Sequence, residues 1–245
     1  LVQQAEGFET SLNSFFADCD DRGCSFMRAG ETAADSFDRI ARDLDSNPLS
    51  PDNAPTPVNQ GVLATAVAVS LYGDFGWPAL EDALDAAQHG DGEPLLLLFD
   101  SYFGIVDGET DDSIDAYFGI TCADRGDGVT VDAVLTVASK LDRVAPRLGE
   151  SWIQEMLVCA NFPSPPATPV HVGADTAVPT IVVGSVGDAA TPLKGSRNLA
   201  RVLGDARLVV SQLEQHTTYG SDPCVTKIVD DYLLRLSDGP AEVDC

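Results

Sequence analysis

The sequence predicts an α/β protein in which a mostly helical region precedes one strand–helix–strand–helix unit of a parallel sheet. Two observations carry this. Val178-Pro179-Thr180-Ile181-Val182-Val183 and Ala206-Arg207-Leu208-Val209-Val210 are short aliphatic runs rich in β-branched residues, the mark of buried parallel strands. Between and after them, apolar residues return at helical spacing. Strands joined through a helix pair in parallel.

The elements follow in order. Gln3 to Ala17 and Ala33 to Leu44 show helix-like apolar spacing. Pro48 to Pro57 holds four prolines, which lack an amide donor and fix φ, so this stretch is predicted to be an extended connection. Val62 to Leu71 is apolar on nearly every side but too short to span a membrane, and is read as a buried helix. A second proline-rich stretch, 163–169, marks the expected boundary between the helical region (1–170) and the sheet region (171–245). Gly184 ends the first strand, Thr191-Pro192 reads as an N-cap with Pro at the first helical position, and Gly204 stops the helix that runs through Leu203. Pro223 to Leu236 forms the last helix, with Val225, Ile228, Val229, Leu233 and Leu234 on its apolar side.

Two loops of this unit carry chemistry. Gly184-Ser185-Val186-Gly187-Asp188-Ala189-Ala190-Thr191-Pro192 sets Asp188 just beyond the first strand. Gln215-His216-Thr217-Thr218-Tyr219-Gly220 sets His216 just beyond the second. Open α/β sheets place their sites past the carboxyl ends of strands. An acid followed by a histidine in this order is two thirds of a Ser–His–Asp machine. The third part has no local signature, because Gly-x-Ser-x-Gly occurs nowhere in the 245 residues.

On these residues the chain resembles the secreted actinobacterial tripeptidyl aminopeptidase-like serine exopeptidases, a branch of the α/β-hydrolases. In that family a Gly-Thr-x-Gly-Asp-Pro-Ala-Thr-Pro segment carries the triad acid and a Gly-His-x-x-Tyr-Gly segment the base. Here Ser185 replaces Thr and Ala189 replaces Pro, while Gln215 stands where the family usually has Gly and is expected to crowd the loop. Gly7-Phe8-Glu9 to Cys24, Trp77-Pro78-Ala79-Leu80, Gly90-Asp91-Gly92 and Cys122 resemble the helical cap of such enzymes. The resemblance therefore implies the C-terminal part of an α/β-hydrolase: a mostly helical cap followed by the last βαβα unit of the parallel sheet. It assigns Asp188 as triad acid and His216 as base, with no cofactor and no metal. The nucleophile and oxyanion hole would lie in an N-terminal half of the core that precedes the cap. Leu1 is not an initiator Met and no signal peptide stands at the start, so the chain is expected to be a piece of the whole enzyme, inactive alone. The substrate of the intact protein would be a peptide, shortened from its N-terminus through an acyl-enzyme. A non-catalytic peptide- or ligand-binding member and an esterase-type hydrolase remain as alternatives, since one acid and base serve many reactions on this fold.

Composition and the remaining candidates narrow this further. With 39 acidic against 14 basic residues the net charge is −25, which argues against nucleic acid and anionic membrane surfaces as partners. Six cysteines leave fifteen pairings open by count alone. Spacing together with the resemblance favours Cys19–Cys24, Cys122–Cys159 and Cys224–Cys245. Such disulfides place the protein in the secreted or cell-envelope compartment. Ser101 follows Leu95–Asp100 as if at the end of a strand, but Phe99 and Phe103 stand where a nucleophile elbow requires small residues, so a helix of core residues is the expected reading. Ser185 and Ser221 are read as structural, and His89 and His171 as surface residues.

Overall fold

The computed structural model describes residues 1–52, 54, 56–106, 108–124, 129–162, 180–236 and 239–245. The helical region opens with α1 (Val2–Arg22), which ends at Gly23 in the left-handed conformation, φ 75°. α2 (Ala33–Ser46) starts at a capping box. The Thr32 hydroxyl accepts the Asp35 amide and the Asp35 carboxylate accepts the Thr32 amide. The proline-rich connection is held where Leu49 and Val58 form an antiparallel bridge. α3 (Gln60–Ser70) is capped by Asn59. A 3-10 turn (Asp74–Gly76) leads into α4 (Trp77–Gln88), and α5 (Glu93–Phe103) begins with Pro at its first turn. A small hairpin of β1 (Ile105–Val106) and β2 (Glu109–Thr110) precedes α6 (Ser113–Asp124), α7 (Val131–Val144) and α8 (Gly149–Asn161).

The first five helices share one core. α1 contributes Leu12 and Phe15, α2 Ile40, α3 Leu63 and Val67, α4 Leu80 and Leu84, and α5 Leu95, each almost fully removed from water. Burial of a side chain of this size stabilises by about 1.5–3 kcal/mol, which is why these positions recur at helical spacing. Arg147, between α7 and α8, ties the layer together. Its guanidinium donates to Asp38 of α2 at 2.7 and 3.0 Å and to Glu9 of α1 at 3.3 Å, over the Phe16 ring. Glu9 is buried, and desolvation raises its pKa although Arg147 opposes the shift.

Beyond the helices, β3 (Thr180–Ser185), α9 (Leu193–Leu203), β4 (Ala206–Ser211), α10 (Pro223–Arg235) and β5 (Glu242–Asp244) build a parallel sheet of order β3–β4–β5. β3 and β4 pair from Thr180↔Ala206 to Ser185↔Ser211, so both strands end at one level. The proline-rich boundary at 163–169, with the 170/171 division and His171, lies outside the described residues. Disulfides join Cys19–Cys24, Cys122–Cys159 and Cys224–Cys245, the last fastening the β5 end to α10. Among the described residues no helix is long and apolar enough to cross a membrane.

Two local readings need correction. Thr191 is not the α9 cap; Pro192 holds that position with extended ψ 139°, because the Thr191 amide and hydroxyl are both engaged elsewhere, as shown below. The apolar side of α10 is covered only in part. Val225 is buried, whereas Leu233 and Leu234 are 64% and 78% exposed.

Replacing Arg147 by Ala leaves the buried Glu9 carboxylate without its cation. Discounted for the partial exposure of the arginine, the expected loss is about 2–3 kcal/mol, read as a lower urea midpoint with unchanged slope.

Candidate active site

The acid turn is built by close packing. Three residues after β3, Asp188 is buried, and its carboxylate accepts the Thr191 amide at 2.7 Å and the Thr191 hydroxyl at 2.8 Å. Ala189 and Ala190 sit within the helical core itself. Gly7 of α1 lies so near that a Cβ there would come within 2.7 Å of the Ala189 carbonyl oxygen and of Pro192 Cγ. The Gly7-Phe8 segment is thus what the acid turn rests on.

The histidine loop is fixed from both sides. The Ser185 hydroxyl and the Gly187 amide donate to the Leu213 carbonyl. Gly187 has no room for a side chain because Glu214 packs against it. Gln215 forms an antiparallel bridge with Gly73, flanked by Asp74 N donating to Glu214 O at 2.9 Å and His216 N donating to Tyr72 O at 2.7 Å. Gln215 therefore does not crowd the loop; its backbone pairs with the helical region and its side chain turns along the loop surface. Thr217, next in line, has φ +60°, a conformation that costs a β-branched residue about 1–3 kcal/mol. At the loop's end Asp222 is the α10 cap. It accepts the Cys224 and Val225 amides and the Ser211 hydroxyl, and the hydroxyl contact, ahead of the amides, holds its pKa low.

These two loops bring the predicted pair together. His216 Nδ1 lies 3.0 and 3.1 Å from the two Asp188 carboxylate oxygens and 3.2 Å from Thr191 Oγ1. A carboxylate on Nδ1 favours the tautomer that carries its proton there. No partner meets Nε2 among the described residues, so that nitrogen remains to accept a proton. The Tyr72 ring stands edge-on to the imidazole, 5.4 Å between centroids. Tyr72 also lines a cavity of about 750 Å³ between α3, α5, α6 and α8, with Tyr102, Phe103, Tyr117, Trp152 and Glu155 among its walls. The Tyr117 hydroxyl donates to Glu155 at 3.0 Å. Burial raises the pKa of Tyr72 and Tyr102, with the Glu155 charge adding to both, so these phenols stay protonated.

Residues 144–245 match the family model described as TAP-like protein, of the α/β-hydrolase fold. This region is a TAP-like α/β-hydrolase segment. Serine protease Hip1 of Mycobacterium tuberculosis is 26% identical over 260 residues, covering 100% of this chain and 49% of the relative. Carboxylesterase B of the same organism is 28% identical over 253 residues, covering 100% of this chain and 48% of the relative. The chain thus spans about half the length of the curated relatives it matches. Within the TAP-like segment lie both Asp188 and His216, while most of the cavity wall belongs to the helices before it.

The other candidates fall apart from the pair. Ser101 is an exposed residue within α5, its hydroxyl spent on Leu98 O at 2.7 Å, and no strand leads into it. Ser185 is buried and structural. Ser221 accepts from Gln215, and His89 ends α4 at the surface with Nδ1 on Asp85 O. The groups with metal-ligand spacing among the described residues are disulfide sulfurs beside one carboxylate, which offer no thiolate. Tyr72, Glu155 and Glu214 carry no motif in the sequence, and Thr191, which the sequence marks as a helix cap, binds Asp188 instead.

Glu214 generates a pH test. Burial, followed by the nearby Asp74 charge, raises its pKa, so the folded state binds this proton more tightly than the unfolded one. Stability is therefore lost as pH rises through the folded pKa. Glu214→Gln is expected to melt higher than the parent at neutral pH and to match it below about pH 4, where an unfolded Glu is also protonated. Thermal melts across this range check it.

Proposed function

We propose that this chain supplies the acid and base of a serine hydrolase, most specifically an exopeptidase, whose nucleophile lies outside these 245 residues. The observation that carries the reading is the 3.0 Å contact between Asp188 and His216 Nδ1 past the ends of two adjacent parallel strands. A serine brought to Nε2 would lose its proton to His216 as it attacks a carbonyl, and His216 would return that proton to the leaving group. Asp188 holds the imidazole tautomer and stabilises the imidazolium. Oxyanion donors would come with the nucleophile. Support for an outside nucleophile comes from the absence of Gly-x-Ser-x-Gly and from β3, which among the described residues is an edge strand with hydrogen-bonding capacity left for another parallel strand. The three disulfides support folding in an oxidising compartment, hence secretion or the cell envelope.

The cavity supports the exopeptidase reading. Its wall includes Tyr72, whose ring stands against His216, and it holds Glu155 among tyrosine rings, a setting that suits an ammonium group attached to apolar side chains. A peptide N-terminus placed there would extend its first residues toward the imidazole. A second reading, an esterase, is favoured by the aromatic side chains in the wall and by the name of one relative, Carboxylesterase B.

Turnover of tripeptidyl-anilides with free and acetylated amines, and of simple acyl esters, by the intact protein separates these. The exopeptidase reading expects hydrolysis only with a free amine. It also expects Glu155→Gln to raise KM about 10- to 100-fold with kcat little changed, the loss of one charge-assisted contact. Equal turnover of blocked substrates or esters would favour the esterase.

A further inference from the structure

The loop that carries His216 contains a left-handed, β-branched residue immediately after the histidine, and one side chain spans it. Before His216 the backbone is pinned at each step, by Leu213 to the β3 end and by the Gly73–Gln215 bridge to the helical region. After His216 the backbone is next anchored at Thr218, whose carbonyl accepts the Ser221 and Asp222 amides, which leaves Thr217 between two fixed points. Thr217, at φ +60°, reverses the chain, and a side chain branched at Cβ resists this conformation. Its carbonyl accepts Gln215 Nε2 at 2.9 Å, and the same Nε2 donates to Ser221 Oγ at 3.0 Å. One carboxamide thus links the start of the loop, its disfavoured residue and its end.

We propose that Gln215 is a positioning residue for His216. Its amide holds Thr217 left-handed, and that turn keeps the imidazole aimed at Asp188 and Thr191 rather than toward solvent. The chemistry requires a donating N–H at this position: the Thr217 carbonyl oxygen faces the amide nitrogen and can only accept, so an acceptor of the same shape would repel it, whereas the Ser221 hydroxyl could turn to donate. Gln215 touches neither Asp188 nor a reacting atom, and it acts only through the backbone of its neighbours. For the reaction, this inference rests on the hydrolase reading given above; for the geometry of the imidazole it does not.

The test is the His216 Nδ1 proton, followed by NMR in the intact protein. In the parent it is expected as a downfield resonance protected by the Asp188 carboxylate. Gln215→Ala and the isosteric Gln215→Glu are both expected to lose it to solvent exchange at unchanged melting temperature. Thr217→Gly added to Gln215→Ala is expected to restore it, because glycine adopts φ +60° without being held. In hydrolysis assays Gln215→Ala should lower kcat about tenfold or more with KM unchanged, and the same second change should recover it. A resonance that survives both single substitutions, or that Thr217→Gly fails to rescue, overturns the proposal. If the parent shows the protected proton but no turnover of any substrate, the hydrolase reading fails while the NMR result still decides the role of Gln215.

Discussion

Asp188 and His216 meet because β3 and β4 run parallel in register and stop at the same level. Ser185 faces Ser211, so the two loops that follow leave the sheet side by side. An acid three residues past one end and a histidine five past the other then need only short turns to touch. Parallel pairing in turn requires a crossover, which α9 supplies with Leu193, Ala200 and Leu203 packed on Val182 and Leu208.

The sheet alone does not hold the pair. The helical region closes over both loops, at Gly7 against Ala189 and Pro192 and at Gly73 against Gln215. Each contact is backbone or nearly so, which leaves little freedom for either loop to drift. The same seam carries the cavity. Tyr72 gives its carbonyl to the His216 amide and its ring to the cavity wall, so the shape of the helical layer and the position of the imidazole are set by one residue. Arg147 contributes from the far side by joining α1 and α2, the helices on which the acid turn ultimately rests.

Much of this was legible in the sequence where local physics decides. The β-branched runs, the glycine stops and the apolar spacing of α1, α2 and α3 announced their elements. So did the order of Asp188 and His216 around a strand–helix–strand unit. The Leu95–Ser101 run read as helix on steric grounds, because Phe99 and Phe103 forbid an elbow, and it is helix. What the sequence hid is non-local. Nothing near Thr191 signals that its hydroxyl turns back to Asp188 instead of capping α9, since the same Thr-Pro pair serves both ends. Nothing near Tyr72 or Glu155 announces a cavity, because its wall is assembled from four helices. Gln215 looked like an obstruction by comparison with glycine, yet the backbone bridge to Gly73 gives it a place. The exposure of Leu233 and Leu234 also escaped periodicity, which reports an apolar face but not whether anything lies against it.

The role proposed for His216 and Asp188 is to activate a serine that does not belong to this stretch of chain. The most direct measurement is labelling of the intact protein with a fluorophosphonate, with the modified residue located by mass spectrometry and the rate compared in His216→Ala. One labelled serine is expected outside these 245 residues, in a Gly-x-Ser-x-Gly setting, whose labelling collapses by several orders of magnitude without His216. Labelling at Ser101, or at any serine with a rate indifferent to His216, would contradict it.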